Sequence, residues 1–303
     1  MLLSHNHEFV ADTSTLHSRS NGGLFSNLYH TVWSLVDLWN VGVTPEEIDF
    51  SGGFFLFKNE HHANLYPLLF ERDTAMIVKF GHLDLGGRRM PRLDHHGVYA
   101  LYPFELFEAM LRAYFRPSRL VLDRARTLEA KYGIDVSNTV GVYYRGTDKH
   151  TEVSLASPDL YLRSINEMGG GRGLRVFVQT DQAQVRDVLS SQVRDSFFLE
   201  ELPVSAGSTG IHFDSTVVGT NDREEFAVNL LAAVTLLSRC RFLVLCSSNM
   251  AGWICLARGN PVGVTQFNKH GRRIGPAYRA AFRLKNVIRR LLAMARKQPF
   301  HYV

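Results

Sequence analysis

Eight residues, RGTDKHTE (Arg145 to Glu152), gather the reactive chemistry of this chain. They follow VGVYY, an all-apolar, β-prone run that predicts a strand covered on both faces. An arginine leaving such a strand turns a planar fork of donors into the sheet crevice, and that fork suits a phosphate. Asp148 can hold Arg145 or the loop, Lys149 adds a point charge, and Glu152 offers a carboxylate. The plainer reading is a solvated charged loop, but ligands of parallel sheets bind beyond the carboxyl ends of the strands. Two other apolar runs end in polar groups, LRVFVQT in Asp181 and RFLVLC in Ser247, Ser248 and Asn249.

Near the start, Asn21-Gly22-Gly23-Leu24-Phe25-Ser26-Asn27 precedes a helical pattern. Gly22 and Gly23 let the backbone approach a diphosphate, and the helix N-terminus beyond them favours an anion. The run Gly169 to Gly173 leads into a strand instead and reads as a flexible connection.

Nine of the 13 histidines precede residue 100, His61-His62 and His95-His96 among them. No Cys/His ligand spacing recurs, so surface or acceptor-cleft histidines are expected and no metal site is. The aromatics around them (Phe54, Phe55, Phe57, Tyr66, Tyr99 and Tyr102) suit either a sugar-stacking wall or a core. Cys240, Cys246 and Cys255 lie in apolar sequence and read as small buried hydrophobes.

The elements that must position these groups follow from periodicity. HEFVAD predicts a short strand, and 27–42 a helix with Leu28, Val32, Leu35, Val36 and Trp39 on one face. Residues 43–103 look irregular. Helices are predicted at PFELFEAMLRAYF and SRLVLDRARTLEAKYG. Beyond Thr139 the strands VGVYY, LRVFVQTD and RFLVLCSS alternate with helices at SPDLYLRSINEM, DQAQVRDVLSSQ and REEFAVNLLAAVTLLSR. This alternation predicts an α/β protein with a parallel sheet covered on both faces. The expected domains are 1–138, 139–270 and a basic C-terminal helix, 271–303.

With 303 residues, 45% of them hydrophobic and 21% charged, the chain reads as soluble and globular. MLLSHNHEF lacks the apolar core of a signal peptide, so a cytoplasmic, reduced protein is expected. The net charge of +5 hides an asymmetry. Residues 269–303 hold ten basic residues and no acid, whereas the rest holds 24 basic and 29 acidic ones. The body is therefore no general polyanion binder, and nucleic acid is not an expected partner. In the tail Leu284, Val287, Ile288, Leu291 and Ala295 share one face opposite arginines. That helix could pack back on the body or lie as a peripheral contact on anionic lipid.

VGVYYRGTDKHTE resembles the first motif of the α1,6-fucosyltransferase superfamily, which includes the nodulation fucosyltransferases and the protein O-fucosyltransferases. FRPSRLVLDRA before it, VFVQTDQAQV and LLSRCRFLVLCSSNMAGWICLARG after it match further segments in order, over roughly residues 115–259. SNGGLFSNLYH is similar to the glycine-rich loop of the family's N-terminal domain. The resemblance implies a GT-B-like fold, two Rossmann-like domains with a cleft between them. It also implies an inverting, metal-independent glycosyltransferase without a cofactor, using GDP-fucose or a related sugar nucleotide on a glycan or glycolipid acceptor.

Carried over by position, Arg145, Lys149 and Glu152 are the implied catalytic residues. Gly22, Gly23, Asn27, Arg145, Asp148, Asp181, Ser247, Ser248 and Asn249 are the implied donor contacts. The chain contains no Asp-X-Asp pair of the kind metal-dependent transferases commonly use. It departs from the family at Gly146, where arginine is usual, and in a Lys149–Glu152 spacing one residue shorter. It also lacks a carboxylate in NLLAAVTLLS. These departures leave a catalytically silent sugar-nucleotide-binding protein as the alternative.

Overall fold

The computed structural model describes residues 2–4, 7–213, 218–219 and 222–295. Its first part builds a four-stranded sheet from β1 (Leu2–Ser4), β2 (His7–Val10), β3 (Thr15–Ser18) and β4 (Glu47–Asp49), in that order. The first three strands are antiparallel neighbours, whereas β3 and β4 run parallel. A parallel pair needs a crossover, and helix α1 (Leu24–Trp39) supplies it. The irregular-looking stretch after residue 43 contains short elements: α2 (Tyr66–Leu69), β5 (Phe70–Glu71) and α3 (Thr74–Gly81). Helix α4 (Phe104–Tyr114), strand β6 (Arg116–Pro117) and helix α5 (Arg119–Lys131) complete this part.

The second part is the parallel sheet expected from the apolar runs. Strands β7 (Thr139–Tyr144), β8 (Arg175–Thr180), β9 (Ser196–Phe197), β10 (Phe242–Leu245) and β11 (Val264–Gln266) lie in the order β11-β10-β7-β8-β9. Every residue of β7 is buried, which explains its lack of polar alternation. Helices α6 (Pro158–Glu167), α7 (Ala183–Gln192), α8 (Arg223–Arg239) and α9 (Asn249–Arg258) make the connections, and α10 (Pro276–Ala295) follows β11. The chain moves from β7 outward through β8 and β9, then returns to the other side of β7 to form β10. The order thus reverses between β7 and β10, where sheets of this kind bind ligands.

The glycine run forms the turn between α6 and β8, with Gly170 bridged to Leu174. Helix α8 buries most of its circumference, from Phe226 to Leu237, as expected of a helix enclosed on several sides. It packs on α2, α5 and α9, while α9 packs on α1 and α4, so the two parts share one continuous core. All three cysteines are buried in it or beside it as free thiols. Among the aromatics weighed for sugar stacking, Phe54, Phe57, Tyr66, Tyr99 and Tyr102 are buried. Phe55 stacks on the exposed His61, with ring centroids 3.9 Å apart.

Helix α10 leaves the described part of its apolar face uncovered, the side chains of Leu291 and Ala295 lying outside the described residues. Leu284, Val287 and Ile288 are 61%, 53% and 48% exposed. Phe282, on the other side of the helix, lines a small pocket together with Leu93, Tyr102 and Pro103. Arg296 and Lys297 lie outside the described residues. No helix of the described residues is long and apolar enough to cross a membrane.

Candidate functional site

A cleft of about 420 Å³ opens at the sheet's switch point, and the two parts of the chain face each other across it. The RGTDKHTE octet forms one wall. Arg145 follows the last residue of β7, and its Nη2 donates to Asp148 Oδ1 at 2.8 Å. Its Nε lies 3.6 Å from Asp181 Oδ2. Burial works against the charged guanidinium, but Tyr143, Asp181 and Asp148 together outweigh it and raise its pKa further. Asp181, at the end of β8, is the loop's brace. It accepts the Gly146 N–H at 2.8 Å and the Thr147 hydroxyl at 2.6 Å. A Cβ on Gly146 would fall 2.0 Å from Gln182 Oε1, so a longer side chain there requires Gln182 to move.

Lys149 opens a short 3-10 turn (Lys149–Thr151) and is buried, its Nζ donating to Glu152 Oε2. Lys149 and Glu152 both line the cleft, the latter with half its side chain in solvent. Two helix N-termini complete the polar surface. Gly22 and Gly23 lead into α1, and Ser248 leads into α9, all lining the same space. First-turn N–H groups have no intrahelical partner and attract anions. The α1 terminus has no side-chain cap and no acid in its first turn. At α9 the Ser248 hydroxyl accepts the Ala251 N–H at 3.2 Å, and Asn249 borders the cleft.

Two of the implied donor contacts stand apart from the lining. Asn27 is fully buried and braces the glycine turn, accepting the Gly22 N–H at 2.8 Å and donating to the Gly22 carbonyl at 3.0 Å. Ser247 faces a smaller adjoining pocket, its Oγ 2.9 Å from His96 Nδ1.

The cleft also holds residues that sequence reasoning did not assign to it. His95 lines it with Nδ1 buried and unpartnered. Burial, then Lys149 and His30, push the His95 pKa down to about 4, so its ring is neutral near pH 7. The far wall is apolar: Phe57, Leu202, Ile211, Phe213, Phe226 and Leu230. Phe226 and Leu230 come from α8, whose stretch NLLAAVTLLS carries no carboxylate. The rest of that wall comes from short or irregular segments with no periodicity to reveal them.

The segment carrying His95 is clasped to the sheet. Tyr99 Oη lies 3.2 Å from the His95 carbonyl and 3.1 Å from those of Cys246 and Ser248, and it accepts the Ser248 N–H at 3.1 Å. Gln266 of β11 accepts the Tyr99 N–H at 2.9 Å and donates to the Gly97 carbonyl at 2.7 Å. The described residues contain no group of three or more His, Cys, Asp and Glu side chains able to hold a metal ion.

No family model and no curated protein matches the chain. Solved structures do. The NodZ α1,6-fucosyltransferase soaked with GDP-fucose aligns with a TM-score of 0.52 at 16% identity, over 86% of this chain and 97% of that one. Se-Met fucosyltransferase NodZ from Bradyrhizobium aligns with a TM-score of 0.51 at 15% identity, over 86% and 96%. At such identity the likeness concerns the fold. The chain has the α/β, GT-B-like fold of these structures, with a mixed sheet in the first part, a parallel sheet in the second, and the cleft between them.

Proposed function

We propose that the protein is an inverting, metal-independent glycosyltransferase whose cleft binds a sugar nucleotide. The supporting observation is the convergence of Arg145, Lys149 and two helix N-termini on one cleft that also has an apolar wall. In this reading the diphosphate lies between the termini of α1 and α9 and the two cations, and the flat base lies on the Phe226 side. The bond from the sugar's C1 to the phosphate oxygen breaks, its electron pair leaving on the diphosphate. A bond from the acceptor oxygen to C1 forms on the opposite face, and the acceptor's proton passes to Glu152. Fixed donors around the departing phosphate stabilise the charge it gains.

GDP-fucose is the donor we assign. The assignment follows the resemblance of the Arg145 motif and the likeness in fold to NodZ, which was soaked with that compound. A glycan or glycolipid is the acceptor class. Thermal shift with GDP, UDP and ADP tests the site, and release of GDP from GDP-fucose in the presence and absence of EDTA tests the reaction. GDP at about 100 times its Kd should stabilise the fold by about 2.7 kcal/mol. Release of GDP should be indifferent to chelator, because cations of the protein face the leaving group. A better response to UDP or ADP would overturn the base, and activity restored only by added Mn²⁺ would overturn the metal-free chemistry. The absence of a side chain at Gly146 and the Lys149 hydrogen bond on Glu152 favour a second reading, a binder without turnover. A GDP shift with no GDP release would establish that reading.

A further inference from the structure

We infer that α10 docks this protein on a membrane surface carrying anionic lipid, with the helix axis in the plane of the interface. At 100° per residue, Ala277, Ala280, Ala281, Leu284, Val287 and Ile288 fall on one side of the helix. All six are exposed. Arg279 and Phe282 fall on the opposite side and are half-buried, and Phe282 reaches the pocket beside Leu93 and Tyr102. The helix therefore turns Arg279 and Phe282 toward the body and its apolar stripe outward, the reverse of a helix that braces a core.

What covers that stripe is indicated by its margins. Exposed Arg283 and Lys285 flank Leu284 on either side, and the chain carries no acid from residue 269 onward. An apolar stripe between basic margins matches the boundary between acyl chains and anionic headgroups. A second copy of the helix matches poorly, because pairing the stripes would bring arginine margins together with no acid to offset them. The remainder of the chain is net acidic, with 24 basic and 29 acidic residues, so it is repelled by such a surface and leaves α10 as the contact.

The test is cosedimentation of the full chain with two kinds of vesicle. One is phosphatidylcholine alone, and the other has about a quarter of its lipid replaced by phosphatidylglycerol. Binding is expected only to the second, and is expected to fall steeply between about 0.1 M and 0.5 M salt. Each basic residue near the surface contributes about fivefold in partitioning. Arg283→Ala with Lys285→Ala should therefore lower binding by roughly tenfold or more. Val287→Asp with Ile288→Asp should abolish it, with the thermal unfolding midpoint unchanged because both positions are exposed. Equal binding to both vesicles, or to neither, overturns the inference. So does a dimer in lipid-free solution that Val287→Asp dissociates, since the stripe would then belong to a second copy.

Discussion

The guanidinium of Arg145 lies beside Asp148 and Asp181, which hold it in place at the cleft, and in the proposed reading it is the cation that meets the donor's phosphate. Arg145→Ala should lower turnover of the donor by about 10²–10³, the usual loss for one preorganised donor to a transition state. Arg145→Lys should recover little, since a point charge cannot reproduce the fork. Initial rates at saturating donor check both, and normal activity in folded Arg145→Ala protein would remove Arg145 from the centre. A second consequence at this scale concerns pH. Burial, helped by neighbouring cations or rings, pushes His7, His95 and His96 each down to about 4, against 6.5 for a free histidine. Between those values the unfolded chain binds more protons than the folded one, so stability is complete above about pH 6.5 and falls as pH drops toward 4. His7, 2% exposed, contributes up to about 3 kcal/mol of that loss. The partly exposed pair contributes less. Urea midpoints measured from neutral to acid pH should show the decline, and a flat profile would contradict it.

At the scale of elements, Gly252 sets how closely α9 approaches α1. A Cβ there would lie 2.1 Å from the Tyr29 hydroxyl and 3.1 Å from that of Tyr102. Gly252→Ala should overpack this contact and destabilise the protein by about 1–3 kcal/mol, seen as a lower denaturant midpoint at unchanged slope. The same strand and helix pattern explains what was legible in the sequence. β7, β8 and β10 are continuous apolar runs because helices cover both faces, and α5 and α8 carry a helical period long enough to read. The elements between residues 43 and 103 are two to eight residues long and held by tertiary bonds, such as the Trp39 indole donating to the Phe80 carbonyl at 2.9 Å. No local period marks them. His95 belongs to that stretch and reaches the cleft only through the fold, whereas the Arg145 octet declares itself by following a buried strand. Periodicity puts Leu284, Val287 and Ile288 on one face of α10, but a period cannot say whether a face looks inward or outward. Asn27 illustrates the same limit, since its polar type is visible in the sequence but its turn back toward Gly22 is not.

For the whole molecule, the shared core matters more than the count of sheets. α8 and α9 belong to the second part by sequence, yet they pack on α1, α2, α4 and α5 of the first. Calorimetry should therefore show one unfolding transition with matching van't Hoff and calorimetric enthalpies. Two resolved transitions would mean that the parts fold independently. The clasp made by Tyr99 and Gln266 has a kinetic side. It ties the segment that carries His95 both to edge strand β11 and to the turn between β10 and α9, so that segment's place at the cleft is fixed before any ligand arrives. On the proposed reading, an anion would then be drawn to Arg145 and Lys149 in a cleft whose shape is already set, and its association should weaken as salt screens that pull. The same reading makes residence a matter of the hydrogen bonds that these fixed walls would give a diphosphate, so loss of one wall donor should shorten it.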